Sequence, residues 1–184
     1  MERDALSQKF PLGSDLPEFS LIGTDSKTYS QQYFKDAKAA LVVFTCNHCP
    51  YVKGSEAELY NLIAHANLSG LRALLISSND AEQYPEDSFE LMQKKHSEQK
   101  LPFPYLYDAD QSVARLFDAQ CTPECYLFNQ TGQLVYHGAL NDSPRDASKV
   151  MRRSLSTAID QVLAGNTIVS AFEHPIGCSI KWKV

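Results

Sequence analysis

The chain has 184 residues, of which 43% are hydrophobic and 21% charged, a composition that fits one globular domain with a full core and excludes a disordered chain. Its net charge of −5 provides no basic field, so nucleic acid and anionic membrane surfaces are not expected partners. Without a signal peptide at the N-terminus or a run of roughly 18 apolar residues, the sequence predicts a soluble cytoplasmic protein with no membrane segment.

The first half of the chain alternates between strand and helix patterns. Short alternating pieces in 11–30, around Gly23, predict an N-terminal β-hairpin, and the continuous apolar run 39–44 predicts a buried central strand. Apolar residues at helical spacing predict a helix over 50–70, and 71–76 is a second buried strand. Together these segments predict a βαβ unit.

The second half continues the alternation and ends with a helix and a tail. The predicted helices are 86–97, 111–117 and a last helix with the apolar stripe Met151, Leu155, Ile159 and Val162, and the predicted strands are 105–107, 124–128 and 133–137. Gly132 separates the last two strands, which predicts a hairpin, and Gly165-Asn166 is predicted to cap the last helix. Residues 166–184 then form a C-terminal tail.

Five cysteines are an odd number in a chain too long to need disulfide staples, which favours reactive or metal-binding cysteines over structural disulfides. Cys46 and Cys49 are separated by two residues, and they follow the central strand and precede the first helix. Unpaired N–H groups at the start of a helix stabilise a thiolate. The spacing and the setting therefore predict a redox-active dithiol.

The order of these elements, with a Thr-Pro step before the hairpin, resembles the thioredoxin superfamily. Within it the chain is similar to the redoxin group, whose members are alkyl-hydroperoxide-reductase and thiol-specific-antioxidant-like. The likeness rests on 44–53 (FTCNHCPYVK), 121–128 (CTPECYLF) and 136–138 (YHG). It implies an α/β chain with a thioredoxin-like three-layer α/β/α sandwich and a central mixed sheet. It also implies a single domain over 1–184, whose N-terminal extension, 1–35, carries the hairpin.

The resemblance implies a thiol-disulfide oxidoreductase in which Cys46 is the nucleophile and Cys49 resolves the mixed disulfide. The expected partners are protein or small-molecule thiols and disulfides, and an electron donor such as a thioredoxin or glutathione system. No cofactor beyond the redox-active disulfide is implied, and no metal. A cis Thr122-Pro123 bond is expected to expose the Thr122 backbone to an extended substrate segment. His48, between the cysteines, can donate to the thiolate or pair with its charge.

The buried acid that accepts a proton beneath the dithiol of thioredoxin has no counterpart in 39–44. Water, Lys53, Glu56 and Glu124 are the alternatives that the sequence leaves open for this role.

The remaining cysteines are candidates for auxiliary redox residues. Cys121 and Cys125 flank the Thr-Pro step, although a buried and inert Cys125 is the more frequent case in an apolar strand. Cys178 lies on a tail that could fold back over the site as a third thiol, although a plain surface or packed cysteine is favoured.

A peroxiredoxin-like peroxidase is the first alternative function. Peroxiredoxins place a threonine or serine three residues before the reactive cysteine, whereas this chain has Val43 before Cys46 and Cys46 before Cys49. Arg115, which could polarise a peroxide, is expected to be a solvated helix residue.

The second alternative is a thioredoxin-fold protein that binds zinc or copper. Cys46, His48 and Cys49, with His137 or Cys121, offer ligands that suit these metals. Three side chains of a Cys-x-His-Cys run rarely converge at one helix start, and His137 is expected to point outward from its strand, so this alternative is the weaker one.

Overall fold

The structure, a computed structural model, describes residues 10–184, so that residues 1–9 of the predicted N-terminal extension lie outside the described residues. The described part contains the strands β1 (Ser20–Gly23), β2 (Thr28–Ser30), β3 (Ala39–Thr45), β4 (Leu71–Ser77), β5 (Tyr105–Tyr107), β6 (Cys121–Thr122), β7 (Glu124–Asn129), β8 (Leu134–Gly138), β9 (Phe172–Glu173) and β10 (Cys178–Ser179). Its α-helices are α1 (Pro50–Asn67), α2 (Phe89–Gln99), α3 (Ser112–Leu116) and α4 (Ser154–Leu163).

Eight strands form one mixed sheet in the order β2-β1-β5-β4-β3-β7-β8-β9. The central strand β3 is parallel to β4 and antiparallel to β7, and the predicted N-terminal hairpin is the antiparallel pair β1 and β2 at one edge. Strands β6 and β10 form a separate two-stranded ladder. The predicted α/β class, with a mixed sheet between layers of helices, is confirmed.

Every residue of β3 is buried, and alternate side chains enter two different apolar clusters. Leu41 and Val43 pack with apolar side chains of α1, α2 and α4, while Val42 and Phe44 pack with those of α3 on the opposite face. A strand that is covered on both faces needs a continuous apolar sequence, which explains the unbroken run 39–44. The helices therefore form layers on both sides of the sheet.

The helix predicted over 86–97 begins later than its pattern indicated. Residues Pro85–Asp87 form a short 3₁₀ turn, and the α-helix starts at Phe89. The turn directs the carboxylate of Asp87 into the protein, where it is fully buried. This boundary matters because it determines where that carboxylate lies.

The prediction that Met151 belongs to the apolar stripe of the last helix is wrong. The Met151 side chain is 88% exposed, and the helix starts at Ser154. The backbone N–H of Met151 donates to the Asp142 carboxylate and that of Asp142 donates to the Arg152 carbonyl, so this segment is tied to a loop rather than to the helix. The predicted end of the helix is confirmed, since Gly165 N–H bonds the Val162 carbonyl at a φ of +74°.

The C-terminal tail adds two strands to the fold. Strand β9 pairs in parallel with β8, and β10 pairs antiparallel with β6. Beyond β10, Ile180 is buried, and the Arg115 guanidinium lies 4.5 Å from the centre of the Trp182 ring. Arg115 is exposed on α3, as the sequence predicted, and its guanidinium also contacts the tail. Among residues 10–184, no helix is both long and apolar enough to cross a bilayer.

The tail is held at β9 by a close approach that only glycine permits, which gives a prediction about stability. A Cβ at Gly138 would lie 1.7 Å from the Glu173 carbonyl oxygen, at a φ of +142°. We expect Gly138→Ala to lower the free energy of unfolding by about 3 kcal/mol, because a strained backbone and a clash with β9 add together. Urea denaturation followed by circular dichroism measures the change.

Gly132→Ala is the matched control, because Gly132 also has a positive φ, of +81°, but its Cβ would meet no atom within 4 Å. This substitution should lower the free energy of unfolding by only about 1 kcal/mol, the cost of a side chain at a positive φ. Equal losses in the two variants would contradict the close contact at Gly138.

Candidate active site

The two cysteines of the Cys-x-x-Cys motif lie in the turn between β3 and α1. Strand β3 ends at Thr45, and Cys49 is the N-cap residue of the 18-residue helix α1, with Pro50 at the first helical position. Lys53 N–H donates to the Cys49 carbonyl over 3.0 Å, the first hydrogen bond of the helix. The dithiol therefore lies at the positive end of a helix, as the sequence predicted.

Thr122 contacts both sulfur atoms. Its hydroxyl lies 3.4 Å from Cys46 Sγ, and its carbonyl accepts a hydrogen bond from Cys49 Sγ over 3.3 Å. The antiparallel pairing of β3 with β7 places the Thr122-Pro123 step opposite the end of β3, and the bond between these two residues is cis, as predicted. The expectation that this bond exposes the Thr122 backbone is wrong, because Thr122 is buried and its backbone pairs with β10. Both sulfurs belong to residues with no exposed surface.

The two thiols interact strongly. The pKa of Cys49 is lowered to about 4, chiefly by the hydrogen bond from Cys46 and also by the Cys178 thiol, against the opposing effect of burial. The same bond raises the pKa of Cys46, and burial and the negative charge of Asp87 add to that rise. The pair therefore loses one proton readily and retains the second.

Two arrangements of the retained proton compete. The negative charge of Asp87 favours a proton on Cys46 and a thiolate on Cys49. The contacts of Thr122 favour the opposite arrangement, because a protonated Cys49 can donate to the Thr122 carbonyl while the hydroxyl donates to Cys46. The charge is accordingly a property of the pair, and the sulfur that attacks first depends on the groups around it.

Asp87 is a site residue that the sequence analysis missed. Its buried carboxylate accepts hydrogen bonds from the backbone N–H groups of Asn47 and His48, over 2.6 and 3.2 Å, and from the Asn79 side-chain amide over 2.7 Å. A buried charge is stable only with such donors. The acidic pair after Pro85 was visible in the sequence, but nothing local indicates that it meets the dithiol turn.

The His48 side chain is fixed by Asp87 and by an aromatic neighbour. Its Nδ1 lies 2.5 Å from the Asp87 carboxylate, and its ring stacks on Tyr84 with 5.2 Å between centroids. Cys46 Sγ, a ring nitrogen of His48 and a carboxylate oxygen of Asp87 all lie within 4.8 Å of one another. The fold thus brings a sulfur, an imidazole and a carboxylate together at the dithiol turn.

Glu124, one of the acids that the sequence left open, is buried but serves a different purpose. Its carboxylate accepts from the backbone N–H of Gln120 and Cys121 and from the Tyr126 hydroxyl, over 2.7, 3.0 and 2.9 Å. His137 Nε2 completes the set at 2.6 Å. Glu124 therefore holds the backbone that leads into β6. Glu56, another of the alternatives, is paired with Lys95 over 2.6 Å.

The expectation that His137 points outward is wrong. Its side chain is 15% exposed, and its ring stacks on Tyr126 with a centroid distance of 4.3 Å because the buried Glu124 carboxylate attracts it. The metal-ligand set expected from the sequence, with His137 or Cys121 beside the Cys-x-His-Cys run, is not the one that the fold assembles. Within residues 10–184, the group with the spacing of a metal site is Cys46, His48 and Asp87.

The three other cysteines differ in their relation to the dithiol. Cys125 is fully buried in the core, where burial raises its pKa. Burial also raises the pKa of Cys121, next to Thr122, and the charge of Glu124 adds to the effect. Cys178 is partly exposed and packs against the cluster of Cys46, Cys49 and Val52. The fold thus brings Cys178 to the dithiol and keeps thiolates unfavourable at Cys121 and Cys125.

The chain is similar to one protein family and to several solved structures. The family model described as Redoxin matches residues 11–155. An uncharacterized conserved protein from Geobacillus kaustophilus is 43% identical with a TM-score of 0.89, over 96% of this chain and 94% of that chain. A hypothetical protein from Sinorhizobium meliloti 1021 is 34% identical with a TM-score of 0.90, over 96% of this chain and 97% of that chain.

A more distant solved structure shows the fold alone. The thioredoxin domain of a thiol-disulfide oxidoreductase from Bacteroides vulgatus is 18% identical with a TM-score of 0.61, over 74% of this chain and 94% of that chain. No curated protein matches the chain.

The shared proton of the dithiol predicts a two-step titration. In the reduced protein one sulfur should ionise far below the ordinary cysteine range, because the pKa of Cys49 is lowered to about 4 by the hydrogen bond from Cys46. Cys46→Ala removes that donor, so the pKa of Cys49 should rise. Thiolate absorbance in the ultraviolet measures both titrations without requiring access to the buried sulfurs.

Cys46→Ser is the matched variant, since a hydroxyl remains as donor and the rise in the pKa of Cys49 should be smaller than with alanine. An identical titration in the wild type and Cys46→Ala would contradict the hydrogen bond between the sulfurs.

The hydrogen bonds of Asp87 predict a large effect on stability. Asp87→Asn keeps the shape of the side chain but replaces one acceptor oxygen with an N–H donor facing the donors of Asn47 and His48. We expect a loss of about 1–3 kcal/mol in the free energy of unfolding, the usual cost of unsatisfied buried polar groups. Asp160→Asn on the exposed side of α4 should change it by less than about 0.5 kcal/mol. Similar losses in both variants would contradict the role of Asp87.

Proposed function

The chain belongs to the redoxin family, and on this premise we propose that it is a thiol-disulfide oxidoreductase whose Cys46–Cys49 pair cycles between dithiol and disulfide. The observation that carries the proposal is the pair of sulfurs at the start of α1, which share one proton and are both in contact with Thr122. A sulfur that is ionised at neutral pH and has a neighbouring thiol is what disulfide exchange requires.

The proposed reaction has two exchange steps. The Cys46 thiolate attacks one sulfur of a substrate disulfide, forming a mixed disulfide and releasing the other sulfur as a thiolate. Cys49 then attacks Cys46 Sγ, which forms the Cys46–Cys49 bond and releases the reduced substrate. A dithiol donor afterwards returns the pair to its reduced form with two electrons. The hydroxyl of Thr122 supports Cys46 as the first nucleophile, because it can donate to the charged sulfur.

His48 is proposed to carry the proton in these steps. One of its ring nitrogens lies within 4.8 Å of Cys46 Sγ, a spacing that one bridging water can span, so that His48 can take up the thiol proton before the attack and return it to the thiolate that leaves. Asp87 acts as a positioning residue, because its carboxylate fixes the imidazole through Nδ1. Thr122 and Pro123 are both buried and β10 pairs with Thr122, so an extended substrate is proposed to bind beside Pro123 only after β10 has left this edge.

The proposed substrates are disulfides and thiols of proteins or small molecules, and the proposed electron donor is a system of the thioredoxin or glutathione type. The chemistry needs no cofactor besides the cysteine pair itself.

Two other functions compete with this proposal. Part of the group that the chain resembles consists of peroxidases, and the Thr122 hydroxyl beside Cys46 supplies a polar contact that favours this function. The arginine that could polarise a peroxide counts against it, because the Arg115 guanidinium lies on the Trp182 ring. A metal site is favoured by the spacing of Cys46, His48 and Asp87, which offer one sulfur, one nitrogen and one oxygen ligand.

The proposal predicts the behaviour of the two cysteine variants in insulin reduction. The wild type should accelerate the reduction of insulin by dithiothreitol, and either Cys46→Ser or Cys49→Ser should abolish the acceleration. Cys49→Ser should accumulate a mixed disulfide with a model substrate, because the resolving thiol is gone. Cys46→Ser should accumulate none, and mass spectrometry of the intact protein measures both results.

Turnover of hydrogen peroxide without insulin reduction would replace the proposal with the peroxidase, and stoichiometric zinc that blocks thiol alkylation would replace it with the metal site. Asp87→Asn tests the positioning role separately. Its pH profile of turnover should shift toward lower pH, because the charge of Asp87 raises the pKa of Cys46, while Asp160→Asn should leave the profile unchanged.

A further inference from the structure

The C-terminal strand β10 occupies the backbone edge beside the dithiol. Cys178 is paired with Thr122, and Ser179 with Cys121, in an antiparallel ladder, and Ile180 N–H continues the ladder to the Gln120 carbonyl over 2.9 Å. Antiparallel pairing of this kind is how an extended peptide binds to an exposed strand edge. The chain's own tail therefore lies where the proposed substrate segment would pair.

The fit of the tail at this edge is close. A Cβ on Gly177 would lie 2.1 Å from the Thr122 carbonyl oxygen, so only glycine allows the tail to approach this far. The carbonyl of Lys181 accepts from Asp80 N–H over 2.8 Å, and the backbone N–H of Lys181 donates to the Asn79 side chain over 2.9 Å. The same Asn79 donates to Asp87, so the tail and the dithiol turn share one hydrogen-bond network.

Strand β10 also delivers a sulfur to the pair. Cys178 packs against Cys49, and its thiol and backbone N–H lower the pKa of the Cys49 thiol. Cys178 packs on the cluster that contains both dithiol residues, yet unlike them it is partly exposed. Three sulfurs are thus arranged in series, from the buried Cys46 through Cys49 to the partly exposed Cys178.

We propose that Cys178 is a third redox residue, which exchanges with the Cys46–Cys49 disulfide by attacking the sulfur of Cys49. The inference rests on the proposed function, because turnover of a disulfide substrate supplies the Cys46–Cys49 bond. In the step, the Cys178 thiolate forms a bond with Cys49 Sγ, and the Cys46–Cys49 bond breaks. Cys46 leaves as a thiolate and takes up the proton that Cys178 gave up, so one disulfide replaces another without net electron transfer.

The electrostatics of Cys178 depend on the redox state of its neighbour. In the dithiol form the pKa of Cys178 is raised to about 11 by burial and by the hydrogen bond and charge of Cys49, against the opposing effect of Lys181 and Arg145. When Cys49 is part of a disulfide it carries no charge, so the contribution of that charge disappears and the two cations remain. Cys178 is therefore more readily ionised when there is a disulfide to attack.

The exchange replaces the Cys46–Cys49 disulfide, whose residues have no exposed surface, with a Cys49–Cys178 disulfide that includes one partly exposed residue. A dithiol donor can then attack Cys178 Sγ, which releases Cys49 and returns all three residues to thiols with two electrons from the donor. Cys178 in this scheme connects the buried pair to the electron donor.

The test maps disulfides in the full chain after oxidation. The reduced protein is treated with glutathione disulfide, free thiols are alkylated, and the unreduced digest is analysed by mass spectrometry. We expect Cys46–Cys49 and Cys49–Cys178 linkages in the wild type. Cys46→Ala should give Cys49–Cys178 as its main linkage, because Cys49 has lost its other partner. Glutathione on Cys49 without that linkage, or a Cys49–Cys121 bond instead, would overturn the proposal.

Gly177→Ala tests whether the docked tail is needed. Its Cβ clashes with the Thr122 carbonyl, so the Cys49–Cys178 linkage should be lost in the Cys46→Ala background. Alkylation of Cys49 in the reduced protein should also become several-fold faster. Ser179→Ala, an exposed side chain on the same strand, should change neither result. An undiminished linkage in Gly177→Ala would contradict docking at Thr122, and circular dichroism checks that the variants are folded.

Cys178→Ala separates the inference from the proposed function. It should still form the Cys46–Cys49 disulfide and attack insulin, while reduction of its oxidised form by thioredoxin should be several-fold slower than in the wild type and in Ser179→Ala. If Cys178→Ala reduces insulin and thioredoxin reduces its oxidised form as fast as that of the wild type, the role of Cys178 is overturned and the proposed function stands. Failure of the wild type to form any Cys46–Cys49 disulfide would overturn both.

Discussion

The contact of Thr122 with both sulfur atoms is the constraint on which the site depends. One residue directs its hydroxyl to Cys46 and its carbonyl to Cys49, so the positions of the two sulfurs are fixed relative to the same piece of backbone. That backbone is itself held by the pairing of β3 with β7 and by the buried carboxylate of Glu124. The core of the sheet thereby determines the geometry of the dithiol, although the dithiol lies in a turn.

The second constraint is the buried charge of Asp87. A carboxylate without exposed surface must be surrounded by donors, and the donors available are the backbone N–H groups of the dithiol turn, the amide of Asn79 and the ring of His48. Satisfying this charge therefore also orders the turn, orients the imidazole and, through Asn79, connects the turn to the tail. A single desolvated group links stability to the chemistry of the site.

The two sulfurs of the dithiol are buried and also receive hydrogen bonds, and these two features have opposite effects on a thiolate. Burial destabilises a thiolate, whereas hydrogen bonds from the neighbouring thiols stabilise it, and the balance leaves one charge shared within the pair. The C-terminal strand covers the same backbone edge, so the enclosure of the dithiol depends on the tail as well as on the sheet.

The sequence by itself determined the elements whose signals are local. The apolar run before Cys46, the helical spacing after Pro50 and the Thr-Pro step before the hairpin were enough to predict the α/β class, the central strand and a dithiol at a helix start. What only the tertiary structure decided are the contacts between distant segments: Asp87 against His48, Glu124 against His137, and Cys178 against Cys49. The physical reason is that periodicity and capping report on neighbours along the chain. Which polar groups meet in the interior follows instead from how the sheet pairs and from the need to satisfy each buried charge.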